Sequence, residues 1–401
     1  MSTSILYHTN GIIDVQYKAT RYEEGAVIFE AEMKKGCHLC PKCKNLHSHV
    51  KEHKRRRFRM VPFGNKPCFL SLLMHRFQCT RCDHKWWPRL SFMAGKKRMT
   101  RSLITHILDL MTFGTVKDVV SFLGVSWDTV KDIHKEALKR AYKSINYKEL
   151  RFIGVDEFSI RKGHDYMTIF TNLESGEIIH AVEGRDKEVV LPFLKKVARK
   201  VINLKAVAMD MSKSYISAVK EVLPKKDIVF DHFHVTALIN RAIDDLRREQ
   251  QRKCNEVGLK TMKGFRFLLL RNYESLEPEK KSSLECLFEV NKPLATIHQM
   301  KEQFRLFWSK GNKKEGARFL GWWIIEAMES CIWPLAKLAR SLLSHWEGLL
   351  TYFEHRISNG MTEGINNKIK TLKRQAYGYR DMEYFKLRLY HLHKQKSSLT
   401  G

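Results

Sequence analysis

Short apolar runs that each lead to an aspartate constrain the fold of this chain most. The runs at 152–155, 206–209 and 228–230 are followed directly by Asp156, Asp210 and Asp231. Amphipathic segments at about 187–201 and 215–222 separate them. Short buried strands that alternate with helices predict a mixed sheet with helices on both faces.

Two of these aspartates are expected to meet at one edge of that sheet. Strands at 167–173 and 177–182, joined by a Ser175-Gly176 turn, complete an antiparallel group with the first run. Active sites in such sheets usually lie at the carboxyl ends of the central parallel strands. Asp156 and Asp210 therefore come together if their strands are neighbours. One aspartate after a strand is more often a turn or a helix cap. Two close carboxylates repel each other unless a cation bridges them, as a hard divalent metal ion does.

A third carboxylate lies in a polar helix near the C-terminus, at 358–374. Spacings of three and four residues bring its polar members to one face, namely Asn359, Glu363, Asn366, Asn367 and Lys370. Lys373 and Arg374 extend the positive charge, and DNA binding is expected of Asn359, Asn366, Lys370, Lys373 and Arg374. A face of carboxylate, amide and ammonium groups is unsuited to core packing but can bind a metal ion and phosphate. The alternative is an amphipathic helix whose polar face is only solvated.

Two Cys-x-x-Cys pairs dominate the N-terminal part. Cys40 with Cys43 and Cys79 with Cys82 can each sit on a tight turn, and four thiolates complete a tetrahedral structural zinc site. Cys37 is an alternative ligand. Plausible strands at 55–59 and 72–77 predict a β-hairpin between the two pairs. The first of these carries a basic run that is expected to contact DNA phosphates: Arg55, Arg56, Arg57 and Arg59.

A helix-turn-helix pattern follows at 115–131. Val119 and Leu123 belong to an apolar stripe, Gly124 permits the turn, and Ser126 can cap the second helix. Residues near the N-terminus of such a helix meet base edges, and here they are Trp127, Thr129 and Lys131. A helical hairpin without DNA contact is the alternative.

Charge and hydropathy indicate the class of partner. Lysine and arginine total 72 against 43 acidic residues, a formal net charge of +29. Such an excess favours a polyanion. No apolar run is long enough to span a membrane, and residues 1–14 lack the layout of a signal peptide. We therefore expect a cytoplasmic, nucleoid-associated protein that binds double-stranded DNA and no membrane.

The order of these features resembles one family. Paired Cys-x-x-Cys knuckles, a helix-turn-helix, Gly-Val-Asp-Glu, Met-Asp-Met-Ser, Phe-Asp-His-Phe-His-Val and Ser-Asn-Gly-Met-Thr-Glu-Gly-Ile-Asn occur in turn. This order is similar to the ISL-three family of bacterial insertion-sequence transposases, over roughly 40–388. The resemblance implies a ribonuclease H-like catalytic domain whose DDE triad falls on Asp156, Asp210 and Glu363.

The resemblance also implies a chemistry and a set of ligands. Two Mg²⁺ or Mn²⁺ ions would be held by the triad, with Asp156 shared between them. Water would cut the element's end to expose a 3′-hydroxyl, and that hydroxyl would then attack target DNA. Because two ends must be brought together, we expect a homodimer or larger assembly on DNA.

The expected fold class is multidomain α+β. A zinc ribbon (1–95) and a helix-turn-helix (96–148) precede an α/β catalytic core (149–250). An all-helical insertion (251–354), with tryptophans interpreted as core packing, interrupts that core before its last helix and basic tail (355–401).

Two other carboxylates and two other functions compete with this interpretation. Strand alternation sends Glu157 to the face opposite Asp156, and Asp231 is the substitute should Asp210 fail. His232 and His234 suit phosphate contacts or a helix start. A transposase-derived DNA-binding regulator would lack the chemistry, and a nuclease would cut DNA without joining it.

Overall fold

A computed structural model of the chain describes residues 5–34, 38–95, 97–145, 147, 149–161, 163, 165–253, 264–358 and 360–394, and only the backbone of Glu363. The structure is a mixture of helices and sheets and divides into two compact units. Unit 1 comprises residues 1–144 and 381–401, and unit 2 comprises residues 145–380. None of the described helices is long and apolar enough to cross a membrane.

Unit 1 begins with a short helix, α1 (Ile5–Asn10), and a sheet. The strands of the sheet are β1 (Val15–Glu23), β2 (Ala26–Met33), β3 (Ser48–Phe63), β4 (Lys66–Cys79) and β5 (Lys85–Trp86). Their order is β1-β2-β4-β3, with β5 on β4. The expected hairpin between the cysteine pairs is confirmed as β3 and β4, which are antiparallel over nearly their whole length.

Three helices follow the sheet, and the last two, with the turn between them, lie where the helix-turn-helix pattern was predicted. They are α2 (Arg101–Leu110), α3 (Val116–Leu123) and α4 (Trp127–Ala141). Gly124 ends α3 in the left-handed conformation, with φ +60°, as expected of a helix C-terminus. The predicted cap of α4 is wrong in detail, because the Ser126 hydroxyl does not cap the backbone and instead pairs with the Thr129 hydroxyl at 2.7 Å.

The last helix, α16 (Met382–Tyr390), packs on α4 within unit 1. Residues 355–401, predicted to belong to the catalytic core, are divided between the two units at residue 381. Two polar pairs, one buried and one partly buried, explain the attachment. The His134 Nδ1 and the Tyr384 hydroxyl are 2.7 Å apart, and the Tyr142 hydroxyl lies 2.8 Å from the His391 Nδ1.

Acid should weaken this attachment. Burial, together with the charges of Arg388 and His391, lowers the pKa of His134 to about 3. In the unfolded chain the same residue takes up a proton near pH ~6.5. The unfolded state therefore binds more protons than the folded state as the pH falls below ~6.5, and stability falls with it.

We expect His134 to cost about 1 kcal/mol of unfolding free energy between pH ~7 and pH ~5.5. His134→Gln keeps a hydrogen-bonding side chain for Tyr384 but does not titrate. Urea denaturation at the two pH values should show a smaller loss in this variant than in wild type. Equal losses in both proteins would contradict a neutral, buried His134.

Unit 2 is built on a second sheet. Its strands are β6 (Phe152–Ser159), β7 (Tyr166–Asn172), β8 (Ile178–Glu183), β9 (Ala206–Met209) and β10 (Asp227–Phe230), in the order β10-β9-β6-β7-β8. Strands β6, β7 and β8 are antiparallel neighbours, whereas β9 and β10 are parallel to β6. Three helices complete the predicted alternation: α5 (Lys187–Lys200), α6 (Lys213–Val222) and α7 (His232–Lys253).

Further helices connect α7 to the end of the unit. They are α8 (Phe265–Leu270), α9 (Pro278–Val290), α10 (Lys292–Arg305), α11 (Lys313–Glu329), α12 (Trp333–Ser344), α13 (Trp346–Leu350), α14 (Tyr352–His355) and α15 (Gly360–Gln375). The helices from α8 to α14 share one continuous hydrophobic core with the sheet.

The contact between Gly348 and Phe230 shows how closely helix and sheet pack. A β-carbon at Gly348 would lie 2.3 Å from the Phe230 ring at the end of β10, so only glycine fits this approach.

The prediction that the tryptophans pack in the core holds for Trp323, which is fully buried and donates to the Met300 carbonyl at 2.9 Å. It fails for Trp322 and Trp333, which are exposed.

Candidate active site and thiolate cluster

Asp156 lies in β6, and Asp210 directly follows the neighbouring parallel strand β9. The ladder between β6 and β9 pairs Gly154 with Ala208. Asp156 and Asp210 each follow these partners by two residues along the chain. Strand β6 does not end at Asp156 as the sequence suggested, because its pairing with β7 continues to Ser159. The predicted proximity of the two aspartates follows from strand order and register alone.

Hydrogen bonds hold both carboxylates in place. Asp156 Oδ1 accepts from the Glu157 N–H at 2.9 Å, and Oδ2 accepts from the Asn366 side chain at 2.7 Å. Asp210 Oδ1 accepts from the Ser212 N–H at 3.0 Å. The Asn366 Oδ1 atom is buried and has no hydrogen-bond partner among the described residues. Asp156 is thereby oriented by α15, and an unused acceptor lies beside it.

The charge balance at the pair favours a cation. Burial raises the pKa of both aspartates, and the negative charge of Asp210 raises that of Asp156 further. His234 acts in the opposite direction on both. Carboxylates whose ionised forms are disfavoured by burial and mutual repulsion are stabilised by a bound cation. Their oxygen atoms are the donors that hard divalent ions prefer.

Glu157 remains electrostatically part of this site. Burial and the charges of Asp210 and Asp156 raise its pKa to about 6, while the Tyr215 hydroxyl lowers it. The Tyr215 hydroxyl also lies 2.9 Å from the Thr168 hydroxyl. Strand alternation predicted that Glu157 would face away from Asp156, and it did not anticipate this coupling between the two carboxyl groups.

Helix α15 crosses this edge of the sheet and carries Glu363. It is attached to β6 by Asn366 on Asp156 and by the Lys373 ammonium on the Ser159 carbonyl. Burial lowers the pKa of Lys373. Glu363 precedes Asn366 by three residues, about one helical turn. Its side chain, like the whole of Asn359, lies outside the described part of the chain.

Asp231 and His234 have roles that sequence reasoning assigned differently. Asp231 is buried and accepts from the Phe233 N–H at 3.3 Å at the start of α7. It also pairs with His232, whose pKa it raises. Asp231 is therefore engaged in starting a helix. His234 acts electrostatically on Asp156, Asp210 and Glu157, although only its place in the Asp-His-Phe-His segment drew attention to it.

The four predicted zinc ligands come together in unit 1. The ligand atoms of Cys40, Cys43, Cys79 and Cys82 all lie within 4.8 Å of one another. The two knuckles are matched turns, because Lys44 N–H donates to the Cys40 carbonyl at 2.9 Å and Asp83 N–H to the Cys79 carbonyl at 3.1 Å. The alternative ligand Cys37 lies outside the described residues.

The thiols of this cluster influence one another. Desolvation opposes ionisation of Cys79, but N–H groups of Cys82 and Arg81 lower its pKa to about 6. The pKa of Cys82 is raised to about 12, with backbone bonding from His84 opposing burial and the other thiols. Desolvation likewise opposes ionisation of Cys40, but backbone N–H groups lower its pKa, so Cys82 is the thiol that resists ionisation beside its neighbours. A metal ion would stabilise the thiolates together.

Comparison with known proteins decides the family. Residues 153–389 match the model of a protein family, ISL3, described as Transposase. The chain belongs to the ISL-three family of insertion-sequence transposases. A transposase for insertion sequence element IS1001 from Bordetella parapertussis is 30% identical over 355 residues, covering 88% of this chain and 87% of that protein.

Two further proteins are more distantly similar to this chain. A transposase for insertion sequence element IS1557 from Mycobacterium tuberculosis is 26% identical over 288 residues, covering 65% of this chain and 64% of that protein. Among solved structures, the Drosophila P element transposase strand transfer complex has a TM-score of 0.43 and 12% identity, covering 74% of this chain and 92% of that chain.

The basic run of this transposase divides between two faces of β3. Arg57 lies over the Phe69 ring at 4.3 Å, and Arg56 lies over the Trp87 ring at 4.6 Å. Arg55 is half exposed and 3.9 Å from Glu30. Arg59 instead binds the end of α3, donating to the Gly124 carbonyl at 2.8 Å and to the Leu123 carbonyl.

The predicted base-reading residues of the transposase lie at the start of α4. Trp127 is half exposed, and Thr129 pairs with Ser126. Lys131 lies 5.2 Å from the centroid of the Trp127 ring and 3.1 Å from Asp381. The positive charge of Lys131 is thus paired with Asp381, directly before α16. On α15, Lys370 and Arg374 are exposed.

Proposed function

We propose that this chain is a DDE transposase that binds the ends of its insertion sequence, cleaves the DNA and joins it to a target. Asp156, Asp210 and Glu363 are the proposed catalytic residues. The observation that carries the proposal is the pair of partly buried aspartates at the neighbouring parallel strands β6 and β9. Both lie within residues 153–389, which match the transposase family. The sheet order β10-β9-β6-β7-β8, with a leading antiparallel group, supports a ribonuclease H-like core.

The donor set fits divalent metal ions. Asp156 and Asp210 supply carboxylate oxygens whose repulsion a cation would relieve. The buried, unpartnered Asn366 Oδ1 is a further oxygen next to them. Two Mg²⁺ or Mn²⁺ ions, held by these aspartates and Glu363, would activate the attacking hydroxyl and stabilise the leaving oxygen.

The residues around the triad prepare it for that role. Asn366 fixes the orientation of Asp156 through the 2.7 Å hydrogen bond. His234 stabilises the ionised form of both aspartates, which keeps them available as ligands. The exposed Lys370 and Arg374 follow on the same helix and would bind phosphates of the DNA strand. Lys373 instead anchors α15 to β6.

Binding of double-stranded DNA is proposed for unit 1. A structural zinc ion on the four thiolates would stabilise the cysteine end of the β3–β4 hairpin. Arg55, Arg56 and Arg57, in the middle of β3, would contact phosphates. Trp127 and Thr129 would read base edges, with Lys131 beside them. Arg59 holds the sheet to the helix-turn-helix. A homodimer or larger assembly would bring the two ends together in the bacterial nucleoid.

Cleavage and joining can be tested on one labelled DNA fragment that carries an element end, mixed with a plasmid target. With Mg²⁺, wild type should cut at the end and insert the fragment into the plasmid. EDTA should stop both reactions. Binding without cutting would favour the transposase-derived regulator, and cutting without insertion would favour a nuclease.

A further inference from the structure

Helix α15 ends in a Schellman motif in which tyrosine occupies the position that usually holds glycine. The Tyr377 N–H donates to the Arg374 carbonyl at 3.1 Å, and the Gly378 N–H donates to the Lys373 carbonyl at 3.0 Å. These bonds define Tyr377 as the residue directly after the cap, where the backbone turns left-handed. Its φ is +51°. Glycine adopts this conformation without steric cost, whereas a β-carbon approaches the following carbonyl oxygen.

The side chain of Tyr377 gives the fold no compensation for this conformation. It is 97% exposed, so its ring buries almost no apolar surface. A residue other than glycine in the left-handed region costs roughly 1 kcal/mol or more. Packing among the described residues therefore does not account for tyrosine at this position. A contact with another molecule would.

The surroundings of Tyr377 indicate the chemistry of that molecule. Arg374 and Lys370 are exposed on the last turns of α15. The Asn366 side chain of this helix donates a hydrogen bond to Asp156. Basic side chains that follow a phosphate backbone, next to an aromatic ring that can stack on a base, are typical of proteins that bind unpaired nucleic-acid strands.

We propose that Tyr377 stacks on an unpaired nucleobase of the DNA substrate. The inference rests on the proposed function, because the carboxylates define where the DNA is cut. The helix ends at Gln375, and a rise of about 1.5 Å per residue places Tyr377 roughly 16 Å from Asn366 along its axis. For a DNA strand that runs along this axis at about 3.4 Å per nucleotide, the stacked base lies about five nucleotides from the cleaved phosphodiester.

Replacing Tyr377 by glycine separates this role from a structural one. Tyr377→Gly removes the ring and relieves the backbone strain, so the melting temperature should stay the same or rise. Binding to forked DNA with an unpaired strand at the element's end should weaken about tenfold. Binding to the fully paired DNA should change less than about twofold, and Tyr377→Phe should bind both as wild type does.

The stacked base can be located with 2-aminopurine, whose fluorescence falls when it stacks on an aromatic ring. We would place it singly at each position within about ten nucleotides of the cleavage site. Wild type and Tyr377→Phe should quench one position, about five nucleotides from that site, and Tyr377→Gly should not quench it. A glycine variant with wild-type affinity and quenching would overturn the proposal.

Cleavage by wild type is measured in the same reactions. Quenching without cleavage would support stacking by Tyr377 while counting against the catalytic proposal. Cleavage with a glycine variant that behaves as wild type would reject only the stacking proposal.

Discussion

Asp156→Asn and Asp210→Asn should each reduce Mg²⁺-dependent cleavage of element-end DNA by at least about a thousandfold. The amide keeps the size of the carboxyl group but loses the negative charge that holds a cation. Burial disfavours the ionised form of both aspartates, and the amide removes that charge without a change in size, so both variants should fold and bind DNA as wild type does. Cleavage is followed on end-labelled DNA, and binding by gel shift in Ca²⁺.

Two control variants make this result specific. Asp186→Asn removes an exposed carboxylate of the same unit and should leave cleavage unchanged. Glu157→Gln removes the carboxyl group next to Asp156, which interacts with Tyr215, and should keep cleavage within about tenfold of wild type. Equal losses of cleavage in Glu157→Gln and Asp156→Asn would show that Glu157 is also a metal ligand. Cleavage by Asp156→Asn at the wild-type rate would contradict the proposed triad.

Loss of the thiolate cluster should have a second large effect, on DNA binding and on the stability of unit 1. Structural zinc in small domains contributes on the order of 10 kcal/mol to folding. We expect Cys43→Ser and Cys79→Ala to abolish the one zinc ion per chain, to lower the melting temperature of unit 1 and to weaken end binding at least about tenfold. Metal content is measured by mass spectrometry and melting by calorimetry.

Cys286→Ser is the matched control, because it removes an exposed thiol of unit 2. It should leave zinc content, melting and binding unchanged. Full zinc content in Cys79→Ala would show that the metal site is elsewhere or absent. Normal end binding by a zinc-free Cys79→Ala would show that the knuckles do not support the DNA surface.

Local patterns explain why much of the catalytic edge could be predicted. The runs 152–155 and 206–209 are apolar because both faces of their strands are largely buried, and polar residues begin where that burial decreases. This constraint marks Asp156 and Asp210 as the first polar residues after each run, although β6 itself continues to Ser159. The Cys-x-x-Cys turns and the left-handed Gly124 are equally local, since each depends on a few adjacent residues.

Contacts between distant segments could not be predicted in this way. Charge predicted that Arg59 and Lys373 would bind DNA, yet both bind backbone carbonyls, at the end of α3 and on β6. A guanidinium or ammonium group binds any well-placed oxygen, and the sequence does not say which one lies within reach.

Short-range patterns in the sequence specify the strands and helices around the sheet of unit 2, the two cysteine turns and the apolar runs that lead to Asp156 and Asp210. Long-range packing sets the remaining features. Strand β9 lies beside β6, which brings Asp210 to Asp156, and Asn366 orients Asp156. Helix α16 packs on α4, and the helices after α7 share the core of the sheet. Secondary structure follows from short-range periodicity. An apolar face or an amide group is satisfied by many partners, and the partner is selected by the packing of the whole unit.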